Sequence, residues 1–222
     1  MSIKNLKTII FGTEDYAQLA HYYLTRDSPY QPVAFCVSKE YKDKDEFCGL
    51  PVITLQQLDA NYSRETFNVF APMSPKSMNE NRQKVYEVLR MMGYKFINYT
   101  SSRATVLTED IGENNFILEN NVIQPFVKIG NNNVFWSGNH IGHHSEIMDN
   151  NTFTSHVVLS GHCRVSDNCF FGVNSTIRDG LKIARYSLIS QGANVLKDTE
   201  EAGVYIGNPA KKLEGKHSFE VI

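Results

Sequence analysis

The second half of the chain has an apolar residue at every sixth position. From Ile111 to Val195 all fifteen of these positions are Ile, Val, Leu or Phe. The residue four places later is small or Asn at most of them, as at Asn115, Ser145 and Cys163. A six-residue period is typical of a helix of parallel β-strands, in which each repeat supplies one short strand and one sharp turn.

Three such repeats close an 18-residue triangular coil, and the coils stack at the spacing of parallel strands, roughly 4.8 Å. The apolar residue points inward, only a small residue fits beside the corner, and Asn or Gly at the corner tolerates a left-handed backbone. We therefore predict a left-handed parallel β-helix of about five coils within residues 105–222. Residues 18 apart lie directly above one another in this fold.

The first hundred residues show a different pattern, in which apolar strand segments alternate with helical spacing. Strands are predicted at residues 7–11, 33–37, 67–71 and 95–99, and helices at residues 17–24, 55–58 and 79–92. This alternation predicts a small parallel sheet of Rossmann type over residues 1–104. Ligands of such sheets bind beyond the C-terminal strand ends, where Gly12, Ser38, Lys39 and the loop 72–79 lie. A lone Gly12 does not support a dinucleotide site, and a plain strand-to-helix turn explains it equally well.

Composition narrows the class of protein. The net charge of −2 and the pI of about 6.4 give no basic surface for nucleic acid. The sequence has no run of 18 apolar residues, so no membrane span is predicted, and residues 1–7 lead into a strand rather than a signal peptide. The four cysteines show no metal-binding spacing, and Cys163 and Cys169 occupy small inward positions. We expect a cytoplasmic protein with reduced thiols.

Histidines concentrate on two corners of the predicted β-helix, with five of the seven between residues 140 and 162. His143, His144 and His162 fall on one corner, His156 falls on the neighbouring corner, and His140 precedes an inward residue. Gly161 lies one coil above His143, which brings its backbone N–H within about 5 Å of the histidine backbone.

Three interpretations of these histidines remain open. In the first, a histidine is the general base for an incoming amine or hydroxyl, and an N–H such as that of Gly161 stabilises the oxyanion. In the second, three histidines hold a zinc-like metal, as in carbonic anhydrases built on such a helix. In the third, the histidines are solvated corner residues without a chemical role.

Four segments carry a resemblance to a known family: residues 138–144 (GNHIGHH), 154–157 (TSHV), 168–174 (NCFFGVN) and 207–211 (GNPAK). With them the chain resembles, over nearly its whole length, the hexapeptide-repeat sugar acyltransferases. The resemblance is greatest to the sialic acid O-acetyltransferase and bacillosamine-pathway N-acetyltransferase group. It implies a homotrimer with acetyl-CoA between adjacent β-helices, no metal, and a nucleotide-linked sugar in the N-terminal domain.

The resemblance also implies roles for individual residues. The family's catalytic histidine corresponds to His143, and its oxyanion amide to Gly161. In bacillosamine-type members a glutamate follows the histidine and helps to orient it, and His144 stands at that position in this chain. A second family histidine corresponds to Thr152, so its role is lost or is taken by His156. Coenzyme A contacts carry over to the backbone around Val173, Gln191 and Gly192 and to the loop of Pro209, Ala210 and Lys211.

The expected reaction is acetyl transfer from acetyl-CoA to the amine of a nucleotide-linked 4-amino-4,6-dideoxysugar. In the sugar-binding domain the group often has acidic residues where Ser38 and Lys39 stand here. Asn79 and Arg82 are candidates for sugar or phosphate contacts, with a helix cap and a solvated surface arginine as the alternatives. The rival functions are a sugar O-acetyltransferase, a metal-dependent hydrase, for which the GNPAK segment has no evident use, and a catalytically idle structural trimer.

Overall fold

The structure is a computed structural model that describes residues 6–221. Residues 1–5, which belong to the segment expected to lead into the first strand, lie outside the described residues. It contains an N-terminal α/β domain followed by a β-helix whose short strands form three parallel sheets. The predicted fold class is confirmed.

The N-terminal domain is a parallel sheet flanked by helices, extended at one edge by an antiparallel strand. Its strands are β1 (Leu6–Phe11), β2 (Tyr30–Val37), β3 (Glu46–Phe47), β4 (Leu50–Thr54), β5 (Asn68–Phe70) and β6 (Lys95–Phe96), and its helices are α1 (Asp15–Arg26), α2 (Leu55–Asn61) and α3 (Glu80–Met91). The strand order is β3-β4-β2-β1-β5-β6, and only the β3–β4 pair is antiparallel. A short 3₁₀ helix, Lys39–Tyr41, follows β2.

Two predicted elements differ from the structure. The strand predicted at residues 95–99 is divided, because Tyr99–Thr100 pairs with Phe116–Ile117 in the β-helix. The β-helix sheet therefore begins before residue 105. Helix α3 begins one residue later than predicted, because Asn79 adopts a left-handed backbone with φ 68°.

The three sheets of the β-helix are named here by position. The domain-side sheet contains Tyr99–Thr100, Phe116–Ile117, Val134–Phe135, Thr152–Phe153, Phe170–Phe171, Leu188–Ile189, Gly203–Ile206 and, antiparallel at its end, Lys211–His217. The second sheet contains Thr105–Val106, Val122–Ile123, His140–Ile141, Val158–Leu159, Thr176–Ile177 and Asn194–Val195. The third sheet contains Lys128–Ile129, Glu146–Ile147, Arg164–Val165 and Lys182–Ile183. A 3₁₀ turn, Ser218–Glu220, follows the strand Lys211–His217.

The stacking repeat is 18 residues, as predicted. Phe135 pairs with Phe153 and Phe153 with Phe171, and their rings stack at centroid distances of 4.8 and 4.3 Å. Buried asparagines reinforce the register, because Asn115 Oδ1 accepts a hydrogen bond from the backbone N–H of Asn133 at 2.9 Å. Asn133 Oδ1 accepts one in the same way from Asn151, one coil further on, at 2.8 Å.

The corners have a left-handed residue every six positions. Those residues are Asn114, Asn120, Phe126, Asn132, Gly138, His144, Asn150, His156, His162, Asn168, Asn174, Gly180, Tyr186 and Gly192. Asn and Gly predominate because they enter this conformation most easily. Phe126, Tyr186 and three histidines depart from that preference.

Helix α3 joins the N-terminal domain to the β-helix through a buried arginine. The Arg82 guanidinium is 1% exposed and donates to Asn132 O, Asn151 O, Thr152 Oγ1 and Met73 O at 3.1 to 3.2 Å. Burial lowers the pKa of Arg82 to about 10, so it remains charged at neutral pH. Within residues 6–221 no carboxylate forms a salt bridge with it, and oxygen acceptors of the backbone and Thr152 compensate its charge.

Asn79 is completely buried beside Arg82. Its Nδ2 donates to Cys169 O at 3.2 Å, and its Oδ1 accepts from the Thr152 hydroxyl at 2.7 Å. The expected sugar or phosphate contacts of Asn79 and Arg82 are therefore corrected to contacts within the protein. The alternative of a solvated arginine is also wrong, because Arg82 is buried. Asn79 is the N-cap residue of α3, as the other alternative has it, but its side chain makes no cap hydrogen bond.

The cysteines are free thiols, as expected. Cys36, Cys163 and Cys169 are buried and Cys48 is exposed. Burial raises the pKa of Cys36 and of Cys169 to about 12, which leaves both as unreactive core residues. Across residues 6–221 no helix combines the length and apolar character that crossing a membrane requires.

Replacing Arg82 by Met tests its role in joining the two domains. The change leaves buried oxygens without a donor, so we expect the free energy of unfolding to fall by about 3 kcal/mol or more. Urea unfolding at pH 7 measures this. The control is Arg90→Met on the same helix, where the exposed arginine makes only a 4.0 Å contact with Glu113 and a change of about 0.5 kcal/mol is expected. Equal losses in the two variants would contradict the account.

Candidate active site

One corner between the second and third sheets brings three histidines together; we call His143, His144 and His162 the histidine corner. The Nδ1 atoms of His143 and His144 are 3.0 Å apart. The ring centroid of His162 is 5.0 Å from that of each of the other two. All three side chains are exposed. The shared corner predicted from the 18-residue spacing is thus observed.

His143 lies directly over Gly161. A Cβ on Gly161 would be 3.0 Å from His143 Cε1 and 3.1 Å from Nε2, so the ring occupies the space above the glycine α-carbon. The backbone N–H of His143 donates to Gln124 Oε1 at 2.9 Å, which anchors the turn. Gly142 must also lack a side chain, because a Cβ there would collide with Gly161 N.

The Gly161 N–H makes no hydrogen bond to any other residue in the range 6–221. Its position beside the His143 ring leaves a backbone donor next to an imidazole. In this pair the imidazole can accept a proton from a group that attacks a carbonyl carbon, and the N–H can stabilise the negative charge that develops on the carbonyl oxygen.

Sequence reasoning missed Phe126, which packs against the histidine corner. Its ring is 4.7 Å from that of His144, and it is 69% exposed with φ 66°. The signal that could have found it is the six-residue corner position, where the chain usually has Asn or Gly.

The histidine corner also has the donor set for a metal ion. One ring nitrogen from each histidine lies within 4.8 Å of the others. Zinc binds histidine nitrogens at about 2.0–2.1 Å in a tetrahedron, so the exposed rings would have to turn inward to bind it. The described residues place no carboxylate or cysteine in this group.

His156 and His140 lie outside the histidine corner. His156 is on the neighbouring corner, where its ring packs over Gly138, and a Cβ on that glycine would be 2.6 Å from His156 Nδ1. His140 is half-buried in the second sheet. Thr152, the position of the second family histidine, is buried in the interface with helix α3.

Val173, Gln191 and Gly192, which are expected to contact coenzyme A, lie along the same corner of the β-helix as His156. Val173 is 43% exposed and its carbonyl accepts from Gly192 N at 2.8 Å, with Gln191 exposed beside it. The loop of Pro209, Ala210 and Lys211 reaches the β-helix through Ala210 N, which donates to Asn194 O at 2.7 Å. In one chain the second sheet separates this corner from the histidine corner.

Two of the sugar-domain candidates, Lys39 and Ser38, each line a cavity at the C-terminal edge of the parallel sheet. One of about 330 Å³ is lined by Lys39, Lys42, Thr54, Gln56 and Gln57. The other, of about 150 Å³, is lined by Phe11, Ser38, Leu55, Lys84, Val85 and Val88. Gly12 has φ 104° and donates its N–H to Cys36 O at 2.8 Å, so it serves the strand-to-helix turn.

Comparison with known proteins agrees with this fold. A sequence profile described as "Bacterial transferase hexapeptide (six repeats)" matches residues 110–142. The acetyltransferase domain of PglB from Neisseria gonorrhoeae FA1090, solved in complex with acetyl coenzyme A, is 19% identical with a TM-score of 0.82. The match covers 94% of this chain and 100% of that one.

Two further solved structures are similar. A variant of perosamine N-acetyltransferase from Caulobacter crescentus, in complex with CoA and GDP-perosamine, is 19% identical with a TM-score of 0.82 and coverage of 93% of this chain and 96% of that one. WeeI from Acinetobacter baumannii AYE is 19% identical with a TM-score of 0.78, covering 94% and 100%. The chain therefore has the fold of the hexapeptide-repeat acetyltransferases, and the resemblance stated from its motifs is confirmed at that level.

A Gly161→Ala substitution tests the packing of the His143 ring against the glycine. The added methyl group forces the His143 ring to move by a few tenths of an ångström, so its imidazole C–H resonances should shift in a histidine NMR spectrum. Those of His156, on the other corner, should not. Asp179→Ala, one coil above Gly161, is the control for general disturbance of the corner. Unchanged His143 resonances in Gly161→Ala would contradict the described contact.

Proposed function

We propose that this protein is an acetyl-CoA-dependent N-acetyltransferase. Its acceptor is the amine of a nucleotide-linked 4-amino-4,6-dideoxysugar, and its base is His143 at a trimer interface. The observation that carries the proposal is the packing of the His143 ring on Gly161, whose N–H has no internal acceptor among the described residues. The product is an acetamido sugar for polysaccharide assembly.

The mechanism follows from these two groups. The sugar amine attacks the thioester carbonyl carbon, and a C–N bond forms. The carbonyl oxygen becomes an oxyanion that accepts a hydrogen bond from Gly161 N–H. His143 takes the proton that the nitrogen loses. Collapse of the tetrahedral intermediate breaks the C–S bond, and the leaving coenzyme A thiolate takes up the proton that His143 accepted, which restores the neutral imidazole.

The separation of the two corners supports an oligomeric site. Val173, Gln191 and Gly192 lie on one edge of the second sheet and the histidine corner on the other. If three β-helices pack around a threefold axis, the thiol end of a coenzyme A held along one chain can meet His143 of the next. Exposed apolar residues of the second sheet, Val122 and Val158, give adjacent copies a surface to bury.

The cavities of the N-terminal domain support a nucleotide-linked acceptor. Lys39, Lys42 and Lys84 surround the C-terminal edge of the sheet, where cationic side chains suit a diphosphate. Ser38 and Lys39 replace acidic residues, so Thr54 and the glutamines beside them are the polar groups left to contact the nucleotide. Asn79 and Arg82 have no part in this site.

The similar structures favour N-transfer over O-transfer. One is named a perosamine N-acetyltransferase and holds CoA with GDP-perosamine, and another holds acetyl coenzyme A. An O-acetyltransferase acting on a sugar hydroxyl is the second candidate, because the same base and oxyanion donor serve an alcohol. A metal hydrase is the third, because the histidine corner can supply three nitrogen ligands.

Replacing His143 by Asn tests the base. We expect kcat for thiol release from acetyl-CoA with a nucleotide-linked amino sugar to fall by at least about 100-fold, the usual scale for a general base. His140→Asn, a half-buried histidine away from the corner, is the matched control and should retain activity.

An unchanged kcat in His143→Asn would remove His143 from this role. A smaller fall in the kcat of His143→Asn with an amine acceptor than with a hydroxyl acceptor agrees with N-transfer, because a neutral amine needs a base less than an alcohol does. The hydrase would replace the proposal if the purified protein contained stoichiometric zinc and hydrated carbon dioxide. His143→Asn would then lose both the metal and this activity.

A further inference from the structure

The histidine corner has a feature that folding alone does not explain. Phe126, His144 and His162 occupy successive positions of one corner column, and all three have a left-handed backbone with φ between 58° and 66°. A non-glycine residue in this conformation is strained, and a bulky one such as Phe is a genuine outlier. The chain uses Asn at the equivalent position of most other corners.

These three side chains form a ladder of rings. The rings of Phe126 and His144 are 4.7 Å apart and inclined by 38°, and those of His144 and His162 are 5.0 Å apart and inclined by 15°. His144 is held between the other two. This packing restricts rotation of its ring about the Cβ–Cγ bond although the side chain is exposed.

The held ring faces the base. Two Nδ1 atoms 3.0 Å apart make a hydrogen bond only if one of them carries the proton. If His144 carries it, the proton of neutral His143 is on Nε2 and the base is blocked. If His143 carries it, Nε2 of His143 has a free lone pair beside Gly161.

We propose that His144 is a positioning residue that accepts the Nδ1–H of His143, and that Phe126 and His162 hold it in the orientation this requires. The proposal rests on the proposed role of His143 as base. His143 then presents an unprotonated Nε2 to the incoming amine. When Nε2 takes a proton, the bond to His144 persists as an N–H donated by the imidazolium to a neutral acceptor.

The first test uses two substitutions that both suit the corner backbone. Asn keeps an acceptor oxygen near the place of His144 Nδ1, whereas Gly removes the acceptor. We expect His144→Gly to lower kcat by about 10- to 100-fold, the scale for loss of a group that orients a histidine, with the KM for acetyl-CoA little changed. His144→Asn should rescue most of kcat. Equal kcat values in the two variants would overturn the proposal.

The second test needs no substrate. Nitrogen-15 NMR of the imidazoles in the whole protein should show His143 protonated at Nδ1 and free at Nε2, and His144→Gly should yield a mixture of the two tautomers. A wild-type His143 protonated at Nε2 would overturn the proposal whatever the kinetics. Failure of the proposed function is a separate result, namely an unchanged kcat in His143→Asn.

The ladder itself is tested by Phe126→Asn and His162→Asn. Both substitutions introduce Asn, which the chain already uses at other left-handed corner positions. Each should lower kcat several-fold and shift the His143 tautomer ratio, while the melting temperature stays the same or rises. Tyr186→Asn is the control, because Tyr186 is another left-handed aromatic corner but lies outside the histidine column. An unaltered tautomer ratio in both ladder variants would show that the rings do not hold His144.

Discussion

The left-handed residue at every sixth position is the constraint on which the rest of the structure depends. It turns the chain at the same place in each repeat, so residues 18 apart lie above one another. Stacked phenylalanines inside and asparagine hydrogen bonds beside the corners maintain that register. The histidine corner is a direct consequence, since His144 and His162 are one coil apart and Gly161 lies one coil above His143. A slip of one residue would separate all of them.

The second constraint is the contact between the two domains. The side chains of Arg82 on helix α3 and of Asn79 just before it bind backbone oxygens of the β-helix, and both side chains are buried. Removing such a buried charge is costly, because each carbonyl oxygen that loses its hydrogen bond would be left without a donor. These contacts thereby hold the N-terminal domain against the β-helix.

Local repetition explains which features could be predicted from the sequence. The period of six identifies the β-helix and its columns, so the grouping of His143, His144, His162 and Gly161 follows from residue numbers alone. Arg82 could not be assigned this way, because its partners in the β-helix are 50 to 70 residues distant and no period relates a helix to a stack of coils. Phe126 was overlooked because an exposed aromatic residue is informative only once its left-handed backbone is known. Ring orientations, on which the His143–His144 contact depends, are set by packing and not by spacing.

The measurement that most directly tests the central claim is acetyl transfer to defined acceptors. Purified protein is incubated with acetyl-CoA and a panel of UDP-, TDP- and GDP-linked 4-amino sugars beside their 4-hydroxy counterparts, and free thiol and product mass are recorded. The account predicts thiol release with an amino sugar and a product heavier by one acetyl group on nitrogen. Turnover with the hydroxy sugars alone, or no release with any amine, would contradict it.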